Sequence, residues 1–286
     1  MSLSLPPVLR RDLDTPAGPI ALLESDPGPS DLPAVLLVPG YTGSKEDFVG
    51  VLGTIAAAGH RAVAMDQRGQ FESPGPDDPA AYTVEALAAD IRLVLADLDT
   101  PGRPAHLLGH SFGGLVARAA VLAAPTAYAS LVLLCSGPSG IGGNRKERMD
   151  LLRPVLAGGG MPAVYDHMQR LAAAEAGAGT GAIPPEIAAF MRRRFLASSA
   201  AGLAGMGEAL LGEPDRVAAL RATGLPVLVA HGADDDAWPP AVQAEMAIRL
   251  GARYEVIARS AHSPAAEAPA ATAAVLLDFW AAAEGR

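Results

Sequence analysis

The segment Ala105-His106-Leu107-Leu108-Gly109-His110-Ser111-Phe112-Gly113-Gly114 joins a buried-strand pattern to a helix pattern at a single serine. Its first four residues form a short apolar run of the length expected for a strand buried on both faces. From residue 113 to 124 the apolar positions recur at the helical period instead. Ser111 therefore falls on a sharp strand-to-helix turn that lifts its hydroxyl above the sheet. Glycines two residues before and two after it, Gly109 and Gly113, leave room for the strand and helix backbones to pass closely. The helix that starts there points its dipole and free N–H groups at any negative charge developing on the turn. Gly-x-Ser-x-Gly alone is a loose pattern in a chain with 31 glycines. Its placement between strand and helix makes it informative.

Outward from this turn, the apolar runs at 33–38 (PAVLLV), 61–65 (RAVAM), 131–134 (LVLL) and 226–230 (PVLVA) have strand length. Helical patterns lie at 44–58, 83–98 and 113–124; Thr83 is the expected N-cap of the second, with Leu87, Ile91 and Val94 on one face. Strands that are apolar throughout and alternate with helices imply a mostly parallel twisted sheet covered by helices on both faces. An antiparallel hairpin, 8–13 and 19–23 turned at 15–18, precedes it. The alternation stops between 137 and 223, where helical patches at 145–156, 161–174, 185–197 and 200–211 are separated by glycine-rich breaks at 158–160 and 177–181. It resumes with a helix at 239–250, a strand at 254–257 and a last helix at 264–283. The expected organisation is a core of residues 1–136 and 224–286 with a helical cap, 137–223, inserted between two strands.

A chain of 286 residues, half of them hydrophobic, has ample material for one large core. The net charge of −9 sets the overall field against phosphates, so neither nucleic acid nor an anionic membrane is an expected partner. The lone cysteine, Cys135, excludes an internal disulfide framework, and it follows an apolar run where a small buried side chain fits. There is no Cys/His cluster with zinc spacing. The first fifteen residues lack the apolar core of a signal peptide, and no run of 18 uncharged apolar residues exists. These features lead us to expect a cytoplasmic setting.

Four segments, taken in order, resemble the α/β-hydrolase superfamily in its capped, lipase- and esterase-like branch. They are LLVPGYTGS (36–44), DQRGQFES (66–73), GHSFGG (109–114) and the paired late loops HGADDDAWP (231–239) and SAHSPAAEAP (260–269). The likeness runs from residue 33 to 286, and the insertion after the 131–134 strand coincides with the family's cap position. The resemblance implies Ser111 as nucleophile, His262 as its base and Asp235, three residues after Gly232, as the acid that orients the imidazole. Asp234 and Asp236 are the neighbouring alternatives, the first read as solvated and the second as serving the turn or the following helix. The order Ser, Asp, His suits this fold.

The resemblance also implies an oxyanion hole built from the backbone N–H groups of Phe112 and Tyr41. The family usually has His-Gly where this chain has Pro39-Gly40, which puts the detailed shape of that loop in question. The loop 66–69 (DQRG) is read as a turn stiffened by an Arg–Asp pairing. Of the other histidines, His110 is expected to diverge from Ser111, His60, His106 and His167 to be packed or solvated, and His231 to shape its turn.

A serine at 111 points to acyl transfer, because the fold's dehalogenases and epoxide hydrolases need a carboxylate there. The expected partner is a small, mainly apolar acyl substrate, an ester, thioester or lactone. Trp238, Tyr165, Met168 and Met191 are the candidates to line its pocket, although most such residues simply form the inner faces of cap helices. Perhydrolase or haloperoxidase-like chemistry, C–C bond hydrolysis and aminopeptidase activity use the same three residues. A non-catalytic ligand-binding role also stays open. The chemistry calls for no cofactor and no metal.

Overall fold

The computed structural model describes residues 5–98, 103–175 and 184–286. The glycine-rich break expected at 177–181 and residues 1–4 lie outside the described residues. Eight strands form one sheet: β1 (Leu9–Leu13), β2 (Ile20–Ser25), β3 (Val35–Val38), β4 (Ala62–Met65), β5 (Ala105–His110), β6 (Tyr128–Leu134), β7 (Val227–Gly232) and β8 (Arg253–Ile257). Their spatial order is β1-β2-β4-β3-β5-β6-β7-β8, with the first two antiparallel to their neighbours and the rest parallel. The expected hairpin is present, and its turn is closed by Thr15 Oγ1 donating to the Gly18 carbonyl at 2.6 Å.

Helices fill both faces. They are α1 (Val49–Ala57), entered through a single 3-10 turn (Lys45–Phe48), then α2 (Val84–Asp97), α3 (Phe112–Ala123), α4 (Gly143–Glu175), α5 (Pro185–Ala197), α6 (Ala200–Gly212), α7 (Val217–Ala222), α8 (Pro240–Leu250), α9 (Pro264–Glu267) and α10 (Pro269–Ala283). Thr83 caps α2 as expected, its hydroxyl accepting from the Ala86 N–H at 3.1 Å. Because successive strand residues point to opposite faces, Leu36, Val63, Leu107 and Leu131 enter one core while Leu37, Ala64, Leu108 and Val132 enter the other. Strands buried on both sides read as continuous apolar runs for this reason.

The helical patches expected at 145–156 and 161–174 are two helical stretches within α4 that meet at Gly160, whose φ of 63° and ψ of −162° are non-helical, so the glycine-rich break falls where it was expected. Two details depart from the expectation. The last helix is interrupted at Ala268 (φ −140°), where the residue before Pro269 is pushed out of the helical region. A short helix, α7, was not expected; its Val217 and Leu220 are buried in the main core beside the sheet. No single helix among the described residues is long and apolar enough to cross a membrane.

Candidate active site

Ser111 stands at the carboxyl edge of β5, on the first bend toward α3, with φ 54° and ψ −122°. A non-glycine residue rarely adopts that backbone, and it persists only where the surroundings hold it. Here the Ser111 N–H donates to the Leu134 carbonyl of β6 at 2.8 Å. A Cβ on Gly109 would lie 2.2 Å from the Gly113 carbonyl oxygen, and one on Gly113 would lie 2.4 Å from that of Pro39. Strand, helix and the loop after β3 are thus packed backbone to backbone, and only glycine fits between them.

Two loops bring their side chains to this turn. His262, between β8 and α9, places Nε2 3.0 Å from Ser111 Oγ, and its Nδ1 lies 2.8 Å from Asp235 Oδ1 in the loop after β7. An ionised carboxylate only accepts, so Nδ1 carries the proton and Nε2 keeps its lone pair toward the serine hydroxyl. The structure therefore brings Ser111, His262 and Asp235 into one hydrogen-bonded line. Asp235 is buried, and burial alone would raise its pKa. The bond and charge of His262, the Ala237 N–H at 3.0 Å and Gln243 Nε2 at 2.7 Å outweigh that and hold the carboxyl below its ordinary value. Asp234 is exposed, and Asp236 pairs with Arg145 of α4.

The His262 loop is itself clamped. Glu267 accepts from the N–H groups of Ala261 and Ser263, and His110 Nε2 donates to the His262 carbonyl at 2.5 Å. His110 was expected to diverge from Ser111; its ring lies 5.0 Å from that of His262 and supports the loop that carries it. Burial, followed by the nearby imidazole of His262, depresses its pKa to about 4, so it stays a neutral donor. Cys135 lies near these two rings, with a ligand atom within 4.8 Å of each. It is unpaired and buried, and burial with the charge of Asp235 pushes its thiol up, away from the reactive thiolate. His231 bonds Tyr254 Oη at 2.6 Å and helps fix the β7–β8 edge.

The loop that carries Tyr41 runs close to the serine, since a Cβ on Gly40 would lie 3.1 Å from that of Ser111, and among the described residues the N–H groups of Tyr41 and Phe112 make no backbone hydrogen bond. Phe112 opens α3, so its N–H is one of the helix's unpaired donors. The loop bearing Tyr41 is held by its carbonyls: Gln67 Nε2 donates to Pro39 at 3.0 Å, and Gln70 Nε2 donates to Gly40 at 2.7 Å and Tyr41 at 3.2 Å. The 66–69 segment thus does more than turn the chain. Its Arg68 pairs with Asp90 of α2, whereas Asp66 binds the buried Lys45 ammonium at 2.8 Å.

Above the serine, the elements between β6 and β7 roof a cavity of about 410 Å³, within the roughly 300–1,000 Å³ typical of ligand pockets. Ser111, His262, His110 and Gly40 form its floor; Leu152, Met168, Phe195, Leu203 and Leu210 line its walls. Arg145, Arg148 and Arg194 also reach it, and Arg194 is paired with Asp47 of the core. Of the four expected pocket residues, Met168 alone lines this cavity. Trp238 is 4% exposed and belongs to the main core, and Tyr165 packs against Phe195 inside the helical layer. Met191 is 39% exposed, because only the last turn of α5 reaches inward.

Residues 35–275 match the family model described as "Alpha/beta hydrolase family". A putative carbamate hydrolase, RutD, of Variovorax paradoxus is 43% identical over 107 residues, which are 37% of this chain and 39% of that protein. The mouse (Mus musculus) sn-1-specific diacylglycerol lipase ABHD11 is 32% identical over 114 residues, 40% of this chain and 36% of that protein. The chain therefore aligns with less than two-fifths of the length of either curated relative. Among solved structures, a carboxylesterase structure from Nitrososphaera gargenis superposes with a TM-score of 0.79 at 22% identity, covering 96% of this chain and 99% of the other, a likeness of fold. With the family model matched from β3 into α10, including the elements that carry Ser111, Asp235 and His262, the chain belongs to the alpha/beta hydrolase family.

Proposed function

We propose that the protein is a serine hydrolase that transfers an acyl group from a carboxylic ester, thioester or lactone to water. The observation that carries this is the line Ser111 Oγ–His262 Nε2 (3.0 Å) and His262 Nδ1–Asp235 Oδ1 (2.8 Å) on the floor of a mostly apolar cavity. As Ser111 Oγ attacks the carbonyl carbon, its proton passes to His262 Nε2, and Asp235 stabilises the imidazolium. The carbonyl oxygen becomes an oxyanion held by the N–H groups of Tyr41 and Phe112, each such donor being worth about 3 kcal/mol in related sites. His262 then protonates the leaving oxygen or sulfur, which departs and leaves an acyl-Ser111. Water, deprotonated by the same imidazole, hydrolyses the acyl group and returns the proton to Ser111.

Residues 137–223 act in this reading as a cap over the acyl site, its last helix, α7, packing with the core. The apolar walls suit a small, mainly apolar acyl substrate, and the setting we propose is cytoplasmic. The activities named for the two relatives, on a carbamate and on a diacylglycerol, both concern a carbonyl bearing a heteroatom leaving group, which supports the reaction class. The test is hydrolysis of chromogenic esters of increasing acyl length, beside Ser111→Ala. Turnover that falls at least about a thousandfold in the variant is expected. Equal rates in the two proteins, or no hydrolysis of esters, thioesters or lactones by the parent, would overturn the reading.

A further inference from the structure

At the opposite edge of the sheet from Ser111, three residues remote in sequence converge: His60 before β4, His106 at the start of β5 and Glu284 after α10. One ligand atom from each, an imidazole nitrogen or a carboxylate oxygen, lies within 4.8 Å of the other two. Both histidines are fully buried at 0% exposure. The Glu284 side chain is 10% exposed, and its Oε2 is bound by Arg286 Nε at 2.7 Å, which leaves Oε1 to face the two rings.

The hydrogen bonds define what these rings present. His60 Nδ1 lies 2.9 Å from the Pro33 carbonyl, which can only accept, so Nδ1 is protonated. In the neutral ring, Nε2 is then a bare lone pair. It is buried without a hydrogen-bond partner, and Glu284 Oε1 lies 3.7 Å from it. Two electron-rich atoms facing each other out of contact with water are costly unless something positive lies between them. A proton on Nε2 would give an ion pair at 3.7 Å, a distance too long for an N–H···O bond. Two metal–ligand bonds of about 2.0–2.1 Å each span that distance readily. His106 Nε2 lies 2.8 Å from the same Oε1, and its Nδ1 lies 2.7 Å from Ser130 Oγ. With Nδ1 as the donor to Ser130, Nε2 is freed to coordinate, the outer-shell arrangement that usually orients a ligating imidazole. Trp280 stacks on His106, 5.4 Å between ring centroids, and walls the cluster with apolar surface.

We propose that His60 Nε2, His106 Nε2 and Glu284 Oε1 bind one divalent transition-metal ion of the zinc type, tying the end of α10 to β4 and β5. Two imidazoles and one carboxylate select zinc-type cations over magnesium or calcium, which prefer all-oxygen shells. The ion is structural and lies outside the reaction at Ser111. Residue spacings of this length carry no recognisable metal motif, which is why the sequence is silent about the site.

The test uses the full chain without an affinity tag, stripped with a chelator and titrated with Zn²⁺ or Mg²⁺ while thermal unfolding and bound metal are measured. One Zn²⁺ per chain and a Tm rise of about 5 °C or more at a hundredfold excess over Kd are expected, with no response to Mg²⁺. The rise should vanish in Glu284→Gln and His60→Gln. It should persist in His262→Ala, which removes the other place where histidines and a thiol meet. A stripped protein that takes up no Zn²⁺, or a shift that survives Glu284→Gln, would overturn the proposal. Should Glu284→Gln fail to fold, metal content and Tm of the His60→Gln protein decide the question alone.

Discussion

Gln243 Nε2 donates to Asp235 Oδ2 at 2.7 Å while the other oxygen of that carboxylate takes the His262 ring at 2.8 Å. One α8 side chain thereby fixes the orientation of the Asp235 carboxylate and helps keep it ionised despite burial. In Gln243→Leu the carboxylate loses a charge-assisted bond worth about 1.5–3 kcal/mol, so kcat/KM should fall roughly tenfold to a hundredfold. Removing a donor that favours the ionised form also moves the acid limb of the pH–rate profile to higher pH. A pH series of kcat/KM on the variant and the parent checks both effects.

The neighbouring acids separate cleanly by substitution. Asp235→Asn removes the acceptor that fixes the His262 tautomer, and by analogy with serine proteases the rate should drop about ten-thousandfold. Asp236→Asn removes an exposed pairing with Arg145 and should cost less than about tenfold, as exposed ion pairs contribute about 0–1 kcal/mol. Steady-state kinetics of the two variants with one chromogenic ester decides it; a larger loss at 236 would reassign the acid.

Gln70 ties back the Gly40 and Tyr41 carbonyls. In Gln70→Leu the loop loses both restraints, and the Tyr41 N–H drifts from the position an oxyanion would take. The loss should appear in kcat with KM little changed, at about tenfold to a hundredfold, short of the full cost of deleting a donor. A KM effect alone would show that the loop shapes the pocket and takes no part in the transition state.

His110 gives a pH dependence of stability with a definite sign. Its folded pKa, about 4, lies below the ordinary value of about 6.5, so between these the unfolded chain binds a proton that the folded one does not. Its contribution is fully present above about pH 6.5 and is lost as pH falls toward 4. From pH 6.5 to 5 that amounts to about 2 kcal/mol. Urea unfolding of His110→Gln should show a pH dependence shallower by that amount, the other titrating groups being common to both proteins.

Much of the architecture was legible because it is written in local period. The switch from a strand run to a helix pattern at Ser111, and the apolar strands that follow, require only neighbours in the chain. The Gly-flanked serine and the late Asp and His loops were legible through their likeness to a family. What escaped was contact made by tertiary packing alone. Gln243 is a lone polar residue in an amphipathic helix, Gln70 sits in a loop, and nothing local shows that the His110 ring reaches the His262 carbonyl. Helix α7 is six residues long, with too few apolar positions to show a period. Tyr165 and Met191 carried the right chemistry for a pocket, yet helix periodicity does not say which end of α5 overhangs the core or which ring is covered by Phe195.

The central claim is that Ser111 becomes covalently acylated under the action of His262. Intact-mass analysis after treatment with a fluorophosphonate, with peptide mapping of the adduct, tests it most directly. The account predicts one adduct per chain, located on Ser111, with labelling slowed by orders of magnitude in His262→Ala. An unmodified protein, or an adduct that persists in Ser111→Ala, would contradict it.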